Sequence, residues 1–327
     1  MANLSIDYYQ GFKLGLDSLT AEGNNYRLRV FDSKDEPLQA RALAVNPAIR
    51  NSNLVVGPVF PDVVKAFATL PAMQNKPIVS PLAPTPPAVY HNNGLITAAP
   101  PLEYHARTTA RYLSRNLGAK QIIILRSGYT DDNKYIIPFK KMVDSLGRKR
   151  IKVIDFGVVR GNLSALLPQL SRTTENYFVI PSTNQAFLMV TLHSLDTLTQ
   201  RYPVVLFGHP NWMKYSFLKA ERLQRLKTHI TSAERIDYRS PEAITFIRAY
   251  RNTYHHDPTE YAFKGFDEGL YFGRVLAGSD NGMAQLNRQV FTGLHNAFSF
   301  ELKPGQGWVN THVNLFKYVN FELKQVE

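Results

Sequence analysis

Residues 121–147 read QIIILRSGYTDDNKYIIPFKKMVDSLG, and this stretch decides the fold class. Gln121 to Leu125 is a short apolar, β-branched run followed by polar and glycine residues, which predicts a strand buried on both faces. From Asp132 to Leu146 the apolar residues recur at helical spacing, and Gly147 supplies the stop. A doubly buried strand followed by an amphipathic helix is the repeating unit of a parallel sheet covered on both faces.

The same rhythm extends in both directions. Downstream, Lys152 to Phe156, Tyr177 to Ile180 and Val204 to Phe207 are predicted strands, with a weaker one at Thr228 to Ser232. The helices among them are Leu163 to Leu170, Gln185 to Gln200 and Tyr215 to Leu226. Upstream, residues 5–21 (SIDYYQGFKLGLDSLTA) form a helix with Ser5 as N-cap and Gly23 as stop. Strands are then predicted at Tyr26 to Phe31 (YRLRVF), Asn53 to Gly57, Pro77 to Ser80 and Leu95 to Ala98. Helices are predicted at Pro37 to Ile49, Val63 to Asn75 and Leu102 to Asn116. The last ninety residues break the alternation with two helices, Pro241 to Thr253 and Tyr261 to Leu276. Residues 297–326 then alternate around Gly305 and Gly307 as antiparallel strands that cap a sheet edge. Two α/β lobes in series are the predicted organisation.

Composition fits this size of core and excludes several chemistries. At 327 residues the chain is long enough for roughly two domains, and 44% hydrophobic residues build them without staples. There is no cysteine, which removes thiolate nucleophiles, Cys zinc sites and iron–sulfur clusters. No run of 18 apolar residues occurs, and residues 1–15 lack the positive-then-apolar pattern of a signal peptide. Lys and Arg number 38 against 26 Asp and Glu, a net charge of +12. The excess sits in residues 119–237, which hold 18 basic and 9 acidic side chains. Its densest run is Arg148, Lys149, Arg150 and Lys152, at a predicted helix C-terminus. There the cations either suit the helix dipole or form a patch for an anionic partner. No nucleic-acid-binding motif accompanies them.

Nucleophile elbows, P-loops and G-x-G-x-x-G turns are all missing, so an enzyme would have to assemble its site from scattered residues. No cofactor is expected. Nor is a metal: His255-His256 lacks the i, i+4 spacing of a zinc helix and reads as a solvated helix end. His209, in GHPNW, follows a buried strand. There a ring, an amide (Asn211) and an indole (Trp212) could converge on a ligand, or Trp212 could pack in the core of a structural turn.

Four segments together resemble the type I periplasmic binding protein fold, specifically the leucine/isoleucine/valine-binding protein-like (extracellular ligand-binding receptor) family. They are YYQGFKLGLDSL followed by RVFDSKDEP; VVGPVFPDVVKAFATLPAMQNKPIVSPLAPTP; residues 121–147; and FIRAYRNTYHHDPTEYAFKGFDEGLYFGRVL. The resemblance implies an α/β clamshell of two doubly wound parallel-sheet lobes joined by a three-strand hinge. Lobe one would comprise residues 1–118 plus 238–292, and lobe two residues 119–237 plus 293–327. Ligands in this family touch loops at strand C-termini, where open α/β sheets generally place their sites. The candidate ligand-binding residues are therefore Tyr8, Phe60, Ser80, Leu82, Ala83, Thr85, Tyr129, Ser182, Thr183, His209, Asn211 and Trp212.

Two departures from the family pattern matter. Amino-acid binders carry a Ser where Pro61 stands, and here Ala83-Pro84 precedes Thr85. Loops with Pro58, Pro61, Pro81, Pro84, Pro86 and Pro87 offer few backbone donors to a carboxylate. The family also opens with a parallel strand before the first helix, and none precedes Leu4; either the sheet has a vacancy or, as the unpaired backbone of such a gap favours, the strand and the leader are expected upstream of residue 1.

The resemblance implies an extracytoplasmic solute-binding protein, of the kind that serves ABC transporters. It would capture an amino acid or related small polar ligand between its lobes by hinge closure. The expected partners are that ligand and a membrane transporter, with no nucleic acid and no direct membrane insertion, in the periplasm or cell envelope. The alternative is a peptidoglycan-associated interaction domain that kept the fold without the solute, which the proline-rich lobe-one loops favour.

Overall fold

The computed structural model describes residues 2–147, 150–278, 282–288 and 290–327, so Arg148 and Lys149 of the basic run lie outside the described residues. The first third holds α1 (Ala2–Ala21), α2 (Pro37–Ala44), α3 (Pro47–Arg50), β1 (Val55–Val56), α4 (Pro61–Ala68), β2 (Ile78–Ser80) and β3 (Leu95–Thr97). The middle holds α5 (Leu102–Arg111), β4 (Gln121–Arg126), α6 (Asn133–Gly147), β5 (Lys152–Gly157), β6 (Asn176–Val179), α7 (Gln185–Leu198), β7 (Val204–Gly208), α8 (Ala220–Arg225) and β8 (His229–Ser232). Then come α9 (Pro241–Tyr254), α10 (Glu260–Gly278), β9 (Phe291–Thr292), β10 (Ala297–Phe298), β11 (Phe300–Lys303), β12 (Gly307–Asn310), β13 (Asn314–Val319) and β14 (Glu322–Gln325). These elements form two compact units, Met1–Pro101 with Ala233–His312 (unit 1) and Leu102–Ser232 with Val313–Glu327 (unit 2).

Unit 2 is built on a seven-stranded sheet of order β14-β13-β8-β7-β6-β4-β5. Strands β4 to β8 are parallel, and β13 and β14 extend the β8 edge antiparallel. Ile122 to Leu125 are each no more than 1% exposed. Ile123 and Leu125 pack in one core layer with Leu188, Leu192 and Leu195 of α7, while Ile122 and Ile124 pack in the other with Ile136 and Phe139 of α6. This is why the QIIIL run carries no polar alternation. Each such side chain contributes about 1.5–3 kcal/mol by leaving water. The helix expected over Leu163 to Leu170 is a 3-10 segment, Ser164–Gln169, with Pro168 inside it, where a missing backbone donor disfavours an α-helix. The helix expected from Tyr215 begins only at Ala220.

In unit 1 the sheet order is β1-β2-β3-β12-β11, parallel from β1 to β12, with β11 antiparallel at the end. Helices α1 and α10 cross at glycines. A Cβ on Gly11 would lie 1.9 Å from the Ala262 carbonyl oxygen, and one on Gly265 would lie 2.0 Å from that of Tyr8. Only hydrogen at these positions lets the two backbones meet. Below them Val79, Ile96, Tyr271, Phe272, Phe298 and Phe300 form a core cluster. Asp267, fully buried on α10, accepts backbone N–H groups from Leu294, His295 and Asn296, each at 2.8 Å, and so fixes the turn before β10. The strand expected at Tyr26 to Phe31 is not formed: the segment lies in no sheet, and Leu28, Val30 and Phe31 are exposed. His255 ends α9 in the left-handed conformation (φ 61°), at the helix end expected there. Among the described residues, no helix is long and apolar enough to cross a membrane.

Candidate functional site

In unit 2 the neighbouring parallel strands β4, β6 and β7 deliver three loops from their C-terminal ends. After β4 the chain turns at Gly128 (φ 89°), and the Ser127 N–H and Oγ donate to the buried Asp132 carboxylate at 2.8 and 2.7 Å. That bracing leaves Tyr129 exposed (59%). After β6, Ser182 is buried; its carbonyl accepts the Trp212 indole N–H at 2.9 Å, and its Oγ accepts the Asn184 N–H. Thr183 between them is exposed, and Asn184 caps α7 by accepting from the Phe187 N–H.

The loop after β7 is set by Trp212, which is 1% exposed. Gly208 leaves room for the indole, since a Cβ there would fall 2.3 Å from the ring. Trp212 thereby joins the β6 and β7 loops as a core residue. His209 is buried, and its Nδ1 accepts the Asn211 N–H at 3.1 Å, which places the ring proton on Nε2. Burial, followed by the nearby His105, pulls the His209 imidazole down to about 3, so the ring is neutral near pH 7. It faces the Tyr135 ring with centroids 6.2 Å apart, and Tyr135 is itself held by a 2.8 Å hydrogen bond to Thr109 Oγ1. Beside the exposed Asp131–Lys134 ion pair, Thr183, Asn211 and Tyr129 are exposed on these loops as uncharged donors and acceptors, suited to binding a polar solute.

Unit 1 presents its candidates differently. Ser80, at the end of β2, is completely buried, and its Oγ has no hydrogen-bond partner among the described residues. Ala83 is buried and Thr85 half-buried. Leu82 packs on Tyr8, Phe12 and Leu16 of α1. Phe60 packs instead among Val63, Val64 and Phe67, one layer away from that group. Pro61 and Pro87 open helical turns, where their missing donors cost nothing.

Tyr8 leads to a buried polar network that the sequence reading did not single out. Its hydroxyl donates to Glu268 Oε2 at 2.6 Å, and Glu268 Oε1 is buried without a partner among the described residues. Burial pushes the Glu268 carboxyl up to about 8, against the opposing effects of Lys264 and the Tyr8 hydrogen bond. The same burial, reinforced by Glu268, raises the Tyr8 phenol. Lys264 is ion-paired with Glu234. The available signal was FKGFDEG, where three ionisable residues, Lys264, Asp267 and Glu268, interleave with the glycines that contact α1.

No family model and no curated protein matches the chain. Solved structures do. A protein of a branched-chain amino acid ABC transporter from Rhodospirillum rubrum superposes with a TM-score of 0.72 at 15% identity, covering 99% of this chain and 96% of that one. An ABC transporter substrate-binding protein from Desulfitobacterium hafniense in complex with Leu gives 0.62 at 18% identity, covering 98% and 95%. The C-domain of LpoA from Haemophilus influenzae, a regulator of PBP1A, gives 0.66 at 13% identity, covering 99% and 95%. With these matches, the two sheet topologies and the strand-end loops described above, the chain has the type I periplasmic binding protein fold.

Proposed function

We propose that this chain is a non-catalytic solute-binding protein of the cell envelope. It captures an amino acid or related small polar ligand between its two α/β units by hinge closure and presents it to a membrane transporter. The observation that supports this reading is the exposure of uncharged polar groups, Tyr129, Thr183 and Asn211, on the loops at the C-terminal ends of β4, β6 and β7. The test is thermal unfolding against a panel of amino acids, their amides and small carboxylates. At least one solute raises Tm, and the doubly substituted Thr183→Ala, Asn211→Ala protein loses that rise while keeping its own unliganded Tm. A panel without any effect counts against solute binding.

A second reading, an envelope interaction domain that binds no solute, is favoured by the likeness to the LpoA C-domain and by the withdrawn polar groups of unit 1. Ser80 is completely buried there, and the adjoining loops are rich in proline. A silent solute panel together with direct binding to a purified peptidoglycan synthase would select it.

A further inference from the structure

The parallel strands of unit 2 begin along one edge of their sheet, and that edge carries cations. Arg115 and Lys120 precede β4, Arg150 and Lys152 open β5, Arg172 precedes β6 and Arg201 precedes β7; all six are exposed. Neighbouring strands bring them together. The Lys152 N–H donates to the Lys120 carbonyl at 2.9 Å, and the Arg172 guanidinium lies 5.9 Å from the ring of Tyr202, the residue after Arg201. Among the described residues none of the six is in an ion pair. Nearby acids do not cancel them. Glu175 is taken by Lys227 at 2.8 Å and Asp196 by Arg225 at 2.6 Å, and Asp144 and Glu322 are two against six. The helix dipole accounts for Arg150 and Arg201, which follow the C-terminal ends of α6 and α7, but not for Lys120, Lys152 and Arg172, which lead into strands. Like charges on one edge repel, so an anionic partner relieves a cost that the fold otherwise carries.

The same edge displays an aromatic ring. Strand β13 runs antiparallel to β8, with Lys317 opposite His229, so the turn Asn320-Phe321 that joins β13 to β14 projects from the end where β8 begins. Both turn residues have positive φ, 52° and 64°. The second position of such a hairpin turn ordinarily belongs to glycine, and a bulky residue there is strained. The Phe321 N–H donates to Gln224 Oε1 at 2.7 Å, which fixes the turn, yet the ring is 60% exposed.

We propose that this edge of unit 2 is a docking surface for an anionic lipid bilayer, to which the protein binds peripherally and reversibly. The cations lie against the phosphate-bearing headgroups, and Phe321 seats its ring at the boundary between headgroups and acyl chains. Charge alone would suit any polyanion. The exposed ring selects the lipid surface, because a bilayer offers an apolar layer directly behind its charged one. The candidate solute loops lie at the other ends of the same strands, so this inference is independent of the solute-binding reading.

The test is sedimentation with vesicles of phosphatidylglycerol and phosphatidylethanolamine in roughly equal parts, against vesicles of phosphatidylcholine alone. The parent chain is expected to bind the first and not the second, and to be released when NaCl rises from about 50 mM to about 500 mM. A Lys or Arg beside an anionic membrane is worth roughly fivefold in affinity, so Lys120→Gln, Lys152→Gln and Arg172→Gln together weaken binding about a hundredfold. The matched control removes three exposed cations from the opposite ends of the strands, Lys134→Gln, Arg160→Gln and Lys214→Gln, and changes affinity less than about fivefold. Phe321→Gly suits the turn, so its urea midpoint does not fall, while vesicle binding weakens by about threefold or more. The proposal is overturned if the parent does not bind the anionic vesicles, if the two triple variants weaken binding equally, or if Phe321→Gly leaves vesicle binding unchanged. It is also overturned if oligothymidylate, a soluble polyanion with bases that stack, binds the parent more tightly than the vesicles do and loses that affinity in the same variants.

Discussion

Replacing Glu268 with Gln tests the buried network of unit 1 most directly. The unfolded chain ionises this carboxyl near 4.5, whereas burial in the fold raises it to about 8. Between those values the native state holds a proton that the unfolded state has lost, so stability falls as pH rises. The slope is about 1.4 kcal/mol per pH unit, with a ceiling of roughly 5 kcal/mol over the whole interval. Glutamine keeps the acceptor for the Tyr8 hydroxyl and cannot ionise, but it buries an amide where Oε1 now has no partner, costing about 1–3 kcal/mol. The variant is therefore less stable than the parent near pH 4.5 and more stable by about 1–3 kcal/mol at pH 8, with the curves crossing between about pH 5 and 7. The chain has two tryptophans, and Trp308 lies in unit 1. Urea unfolding followed by Trp308 fluorescence, in a Trp212→Phe background, isolates the relevant transition. A stability difference that stays constant from pH 5 to 8 refutes the assignment of a protonated Glu268.

Three further outcomes follow from the same structure. Gly11→Ala drives a methyl into the Ala262 carbonyl and forces α1 from α10, costing about 3 kcal/mol in the Trp308 transition. Unit 2 responds to acid with the opposite sign to Glu268. Burial first, then Lys317, lowers the His229 imidazole to about 4, and His209 is lowered to about 3, so the unfolded state takes up protons first as pH falls below 6.5. Each histidine then removes up to about 1.4 kcal/mol per pH unit, and His229→Gln abolishes one share of that slope in a Trp212-reported titration. Asp196→Asn breaks the surface pairs with Arg225 and Arg222 and leaves the urea midpoint in the same assay nearly unchanged, because water screens those pairs.

The parts of the fold legible in the sequence were those whose pattern is local. Gln121 to Leu125 declared a doubly buried strand, and the spacing after Asp132 declared its helix. Tyr26 to Phe31 shows the limit: alternation reports a readiness to pair, but a strand exists only when a neighbour supplies hydrogen bonds. Pro168 shows another, since an apolar period survived in a segment whose backbone could not complete an α-helix. The loops that hold Ser182, Thr183, His209 and Asn211 could be located in the sequence because each follows a strong strand. Whether Thr183 would be exposed and Ser182 buried depended on Trp212, 30 positions from Ser182, which no local pattern encodes. Glu268 was hidden for the same reason, its partner Tyr8 being 260 residues away.

The interleaving of the units governs how the protein is made. Residues 102–232 emerge from the ribosome as an almost complete domain, lacking only the strands that cover the β8 edge. The opening helix, by contrast, needs Ala262 and Gly265 against its own glycines, and these residues are synthesised some 250 positions later. During that delay its Gly11 and Gly15 face lacks the backbone it packs on, so nascent chains stalled before α10 are expected to be the species that molecular chaperones retain. Once α10 arrives, the two halves of unit 1 close over distant contacts, and the final strands seal the domain that was finished first.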